Sequence, residues 1–91
     1  MTEVRATIHN SKGIHVRPSG VIVNELSSIK SDIILESKGV RVPFLSIMDL
    51  LALGLQKGES LKICVSGPDE IDASERLVML FEKDYDFPER D

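Results

Sequence analysis

At 91 residues and a formal net charge of −4, the chain has the size of one domain and an acidic balance that argues against nucleic acid as a partner. Hydrophobic residues make up 42% and charged residues 29%, the proportions of a folded globular protein rather than a disordered one. No apolar run approaches the roughly 18 residues of a membrane span, so no membrane insertion is expected.

The opening Met1-Thr2-Glu3-Val4-Arg5 lacks the charged and apolar zones of a signal peptide, which points to the cytoplasm. The single Cys64 has no partner for an intramolecular disulfide and no metal-ligand spacing around it, so it reads as a structural thiol. No metal and no cofactor are expected.

From Glu3 to His9 the chain alternates, with Val4, Ala6 and Ile8 on one face and Arg5, Thr7 and His9 on the other, which predicts a strand with one buried face. His9 falls in the polar row and reads as an exposed strand-end residue. Asn10-Ser11-Lys12-Gly13 has loop composition. From Pro18 to Ile29, Ile22, Leu26 and Ile29 recur at helical spacing with Val23 beside them, predicting the first helix. Gly20 in its first turn either lets another protein approach closely or is merely tolerated near a helix start.

Asp32–Glu36, containing Ile33-Ile34-Leu35, and Val40–Val42 predict a hairpin around Ser37-Lys38-Gly39. Ser46-Ile47-Met48-Asp49 fits a capping box, and a short apolar helix from Ile47 to Leu53 follows, with Gly54 placed to close it. Leu61, Ile63 and Val65 alternate with Lys62, Cys64 and Ser66 as a fourth strand. Gly67-Pro68-Asp69 leads into the last helix, for which Ile71, Leu77, Val78 and Phe81 are the expected core stripe. The acidic end, residues 84–91, is expected to be loosely held.

The order is thus β-α-β-β-α-β-α. Four strands with one apolar face each must set that face against the helices and leave the other to water. The expected fold is α+β: an open-faced sandwich of a four-stranded antiparallel sheet with three helices on one face. A ferredoxin-like split βαβ shares the β-α-β-β-α-β part of that order.

The stretch that suggests chemistry is Gly13-Ile14-His15-Val16-Arg17-Pro18. It stands where the strand pattern stops and the helical one starts. The first N–H groups of a helix lack intrahelical partners and carry partial positive charge, which suits an anion. A histidine there offers a nucleophilic nitrogen near neutral pH, its unperturbed pKa being about 6.5. Arg17 adds a charged, forked donor for phosphate oxygens. Pro18 gives up no bond in a first turn, so the helix should start between Val16 and Pro18. Together these residues suggest a histidine that accepts a phosphoryl group and hands it on.

That motif, followed by Ser46-Ile47-Met48 and Leu53-Gly54, resembles the histidine-containing phosphocarrier protein (HPr) family of the phosphoenolpyruvate-dependent sugar phosphotransferase system. The resemblance spans essentially the whole chain as one HPr-like domain, residues 1–91. It implies that phospho-enzyme I phosphorylates His15 at Nδ1, that Arg17 stabilises the phosphoryl group, and that enzyme IIA components receive it. The protein would be a covalent intermediate rather than an enzyme, and a monomer suits such a shuttle. In many family members a dedicated kinase, HPr kinase/phosphorylase, modifies the serine matching Ser46 and damps phosphorylation of the histidine.

Val16, Gly20, Ile47, Met48 and Leu51 are expected to form the partner-binding surface, with Leu50 and Leu53 filling the core from the other side of the short helix. Met48 suits a surface that accepts several partners. Three features depart from the family pattern. Ser19 replaces an alanine; Leu45 and Asp49 stand where a basic residue and a glycine are common. Asn24, Ser27 and Asp49 occupy a rim that is often basic. That rim is the ground for an alternative, a regulatory protein of a nitrogen-type or reduced phosphotransferase system. A pure interaction module is a third possibility, which intact His15, Arg17 and Pro18 disfavour.

Overall fold

The computed structural model describes residues 1–10 and 16–83, and of Val16 and Arg17 the backbone alone. The expected loop residues Ser11, Lys12 and Gly13 and the acidic end at 84–91 lie outside the described residues.

The elements follow the expected order: β1 (Thr2–Thr7), α1 (Val16–Asn24), β2 (Asp32–Ser37), β3 (Val40–Pro43), α2 (Ile47–Leu53), β4 (Ser60–Ser66) and α3 (Glu70–Glu82). All neighbouring strands are antiparallel in the order β1-β4-β2-β3. The last strand therefore inserts between the first two. The register puts Val4 opposite Ile63, Ala6 opposite Leu61 and Ile63 opposite Leu35, which collects the apolar rows on one face.

Against that face the helices contribute Ile22, Leu50, Leu53, Ala73, Leu77 and Phe81, all buried. The other face carries the row Arg5, Lys62, Glu36 and Arg41, one residue from each strand. Lys62 bridges Glu3 and Glu36 at 3.2 and 3.5 Å, and Arg41 reaches Glu36 at 3.2 Å.

Cys64 points to this open face and is nevertheless buried. Because β4 is a central strand, Cys64 has Glu3 on one flank and Ile34 on the other. A strand pattern fixes the face a residue points to; the neighbouring strands decide its exposure.

Two expectations need correction. The first helix does not run to Ile29: the α-helix ends at Asn24 and the chain continues as a 3-10 turn, Glu25–Ser28. The Ser27 and Ser28 hydroxyls donate back to the carbonyls of Asn24 and Glu25, and the Ile29 N–H closes on Leu26. Such local hydroxyl bonds compete with the α-helical ladder and tighten a last turn. Arg76 of α3 then holds the turn through Glu25 and Ser28.

The second correction concerns α3. Ile71 is 64% exposed, whereas Ala73, Ser74, Leu77 and Phe81 are buried. The residues at 73, 77 and 81 recur at i+4 and form the stripe that meets the sheet, which leaves Ile71 in the first turn outside it. The Ser74 hydroxyl escapes desolvation by donating to the Ile71 carbonyl at 2.9 Å.

Candidate functional site

The chain on both sides of residues 11–15 is firmly anchored. Beyond the end of β1, the Ile8 N–H donates to the Glu59 carbonyl at 3.0 Å, and the Gly58 N–H donates to the Ile8 carbonyl at 2.8 Å. Ile8 and Asn10 are wholly buried. On the far side Pro18, Ser19 and Ile22 are also buried. His15 itself lies outside the described residues, as do the side chains of Val16 and Arg17.

The backbone places Val16 and Arg17 as the first two residues of α1 and Pro18 as the third, inside the expected starting window. Proline is harmless there because the first-turn nitrogens have no intrahelical acceptor. No acidic residue stands in that first turn, so nothing on the helix itself competes with an incoming anion.

Gly20 is exposed, and a Cβ built on it meets no atom of the described residues within 4 Å. Packing against the described residues therefore does not require glycine at this position.

The second helix packs against α1. Ser46 is its N-cap, in extended geometry with φ −154°, and the Asp49 carboxylate accepts the N–H groups of Ser46 and Leu45 at 2.9 and 2.8 Å. This is the reciprocal half of a capping box. At the other end Gly54 adopts the left-handed conformation, φ 58°, and its N–H closes on the Leu51 carbonyl.

With both ends fixed, the seven residues of α2 present two sides. Leu50 and Leu53 go into the core; Met48 is 68% and Leu51 39% exposed, and Ile47 is half-buried. The neighbouring Val21 of α1 and Leu45 are exposed as well, at 43% and 78%. Sequence reasoning did not assign these two to the patch. Val21 sits beside the core residue Ile22, and only the α1–α2 packing shows which of the two turns outward.

Asn24 and Ser27 are exposed and uncharged, and Asp49 is half-buried, so the described rim carries no cation at these positions. His9 is exposed as expected, but β1 ends at Thr7 rather than running to His9, so the residue lies beyond the strand. Among the described residues no cluster of three or more histidine, cysteine or acidic side chains has the geometry to hold a metal. Among them, too, no helix is long and apolar enough to cross a membrane.

A four-stranded antiparallel sheet with three helices on one face, and a His-x-Arg-Pro sequence running into the first helix, define the phosphocarrier class of protein. The family described as PTS HPr component phosphorylation site matches residues 2–83. The chain belongs to the HPr family.

It is 35% identical over 77 residues to phosphocarrier protein HPr of Treponema pallidum, covering 85% of this chain and 88% of that protein. It is 31% identical over 84 residues to the HPr-like protein Crh of Halalkalibacterium halodurans, covering 92% and 100%. A solved structure of HPr from Thermoanaerobacter tengcongensis superposes with a TM-score of 0.82 at 36% identity, over 89% of this chain and 91% of that one. That match selects the open-faced sandwich over the ferredoxin-like arrangement. The protein is thus an HPr-family phosphocarrier, and phosphocarriers of this family carry a group rather than catalyse a reaction alone.

Proposed function

We propose that the protein accepts a phosphoryl group on His15 from phospho-enzyme I and passes it to enzyme IIA components of a phosphotransferase system. The observation that carries this reading is the family phosphorylation-site match over residues 2–83, with His15-Val16-Arg17-Pro18 entering α1. The imidazole lone pair attacks phosphorus as the bond to enzyme I breaks, and the same exchange run onward loads the recipient. Free N–H groups at the start of α1 and the Arg17 guanidinium stabilise the oxygens in transit.

Val16, Gly20, Ile47, Met48 and Leu51 form the docking face in this reading, and Val21 and Leu45 extend it. Exposed Val21 on α1, and Met48 and Leu51 on α2, on two helices that pack together, support that assignment. The protein works as a single-domain monomer, because a shuttle must free the same face for each partner; light scattering tests this. Ser46, at the N-cap of α2 beside that face, is the second phosphoacceptor and serves regulation by HPr kinase/phosphorylase.

The test is intact-mass analysis after incubation with phosphoenolpyruvate and enzyme I, with His15→Ala alongside. One acid-labile phosphoryl group on the wild type and none on the variant is the expected result; equal labelling of both would refute His15 as acceptor. Arg17→Ala should slow the transfer.

A second reading is a regulatory carrier not coupled to sugar uptake. Two observations favour it: the uncharged Asn24 and Ser27 on the rim, and the full-length similarity to an HPr-like protein named Crh. Phosphorylated protein that delivers its group to no enzyme IIA would select this reading over the first.

A further inference from the structure

We propose that the open face of the sheet holds an anion site, built on Arg5 and Lys62, that takes a phosphate group, free or as the monoester of a small molecule. The site lies across the sheet from the helices and does not depend on the histidine chemistry.

Arg5 of β1 and Lys62 of β4 stand directly opposite each other in the strand register. Like charges in that position destabilise a sheet. The nearby carboxylates do not resolve the conflict. Glu3 and Glu36 both reach Lys62, at 3.2 and 3.5 Å, and Glu36 also receives Arg41. The Arg5 side chain is exposed and forms no ion pair or hydrogen bond with any described residue.

Beside this pair opens a cleft of about 140 Å³. Three cations, Arg5, Lys38 and Lys62, line it against one carboxylate, Glu36, in a chain whose net charge is −4. Ser60, at the head of β4, adds a hydroxyl with no partner among the described residues. The Ser37 hydroxyl is already spent on the Ser60 carbonyl at 3.1 Å, and the Lys38 ammonium on the Gly54 carbonyl and Glu59 at 3.0 Å each.

This lining selects its ligand. A cation meets repulsion there, and an apolar group finds little to pack on. The unpaired Arg5 guanidinium is a fork that meets two oxygens of a phosphate at once. A phosphomonoester carries about −1.5 to −2 charges at pH 7 and offers three acceptor oxygens. It takes the Arg5 fork and the Ser60 hydroxyl, while the Lys62 and Lys38 ammonium groups stabilise it through space. Once the anion is bound, the two opposed cations share a counter-charge and the strain between β1 and β4 is relieved.

The experiment is an NMR titration of the isotope-labelled full chain with inorganic phosphate and, separately, with glycerol phosphate, sodium chloride holding the ionic strength constant. The expected result is a saturable shift at the Arg5 Nε–H and at the amides of Lys62 and Ser60. R5Q should weaken binding about tenfold, the loss of one charged hydrogen bond, and R5E should abolish it. Because R5E replaces a like-charge pair by an opposite-charge pair, its urea midpoint should rise above wild type, which separates lost binding from lost folding.

Shifts that grow without saturating, or that persist unchanged in R5E, would overturn the proposal. So would saturable binding confined to the start of α1, read at Ser19 and Gly20. Tighter binding of glycerol phosphate assigns the site to a monoester, and equal binding of the two probes assigns it to the phosphate group alone.

Discussion

Ser19→Ala should make the protein more stable. The Ser19 side chain is wholly buried in the first turns of α1, and its hydroxyl has no hydrogen-bond partner among the described residues. A buried hydroxyl that exchanges water for nothing costs about 1–3 kcal/mol. Alanine removes that loss, and its better helix propensity adds a few tenths of a kcal/mol. Loss of the packing made by one oxygen atom works the other way and is smaller.

The net expectation is a gain of about 1.5 kcal/mol, which for a chain of this length raises Tm by about 6–12 °C. Urea unfolding followed by far-UV circular dichroism measures it directly: the midpoint should rise with the slope unchanged. A midpoint that stays put or falls would show that the hydroxyl is hydrogen-bonded in solution, and the argument from burial would fail. The phosphoryl-transfer rate of the variant should match wild type, since the wholly buried Ser19 side chain presents nothing to a partner.

Phe81→Ala should cost about 3–5 kcal/mol, because the ring is fully buried and meets Phe44 at a centroid distance of 6.4 Å; chemical denaturation checks it. Met48→Asp should slow phosphoryl exchange with enzyme I at least several-fold while leaving the unfolding midpoint nearly unchanged, since Met48 is an exposed side chain. Acid should weaken the fold through the entry to α3. The Asp69 carboxyl lies below its ordinary 3.8 because it accepts from the Ser31 hydroxyl and the Lys30 N–H, and Glu70 lies below 4.5 through the Thr2 hydroxyl and the Gly67 N–H. Both are depressed in the folded state, so their stabilisation is complete above pH 4.5 and drains away as pH falls through the folded values. Urea midpoints between pH 6 and pH 2.5 should therefore fall more steeply in wild type than in a D69N/E70Q double variant.

The features legible in the sequence are those that neighbouring residues decide. Alternation gave β1 and β4, and capping chemistry fixed both ends of α2 at Ser46 and Gly54. The run from His15 to Pro18 marked the start of α1 before any fold was known. Each depends on contacts within about four residues, where backbone geometry leaves few choices.

Tertiary structure decided the rest, because exposure and pairing depend on residues distant in the chain. Inserting β4 between β1 and β2 buries Cys64 on a face whose pattern reads as wet. The contact of α3 with the sheet selects Ala73, Leu77 and Phe81 and leaves Ile71 outside. Gly67 has no room for a side chain because a Cβ there would fall 2.7 Å from the Cα of Ser31, a residue distant in the chain. Likewise, Val21 and Met48 are ordinary apolar residues in the sequence; that both stay exposed is decided only when α1 and α2 pack with the rest of the fold. The proposed acceptor, His15, is legible in the chain itself, whereas which apolar side chains of α1 and α2 turn outward is settled only once helices far apart in sequence have met.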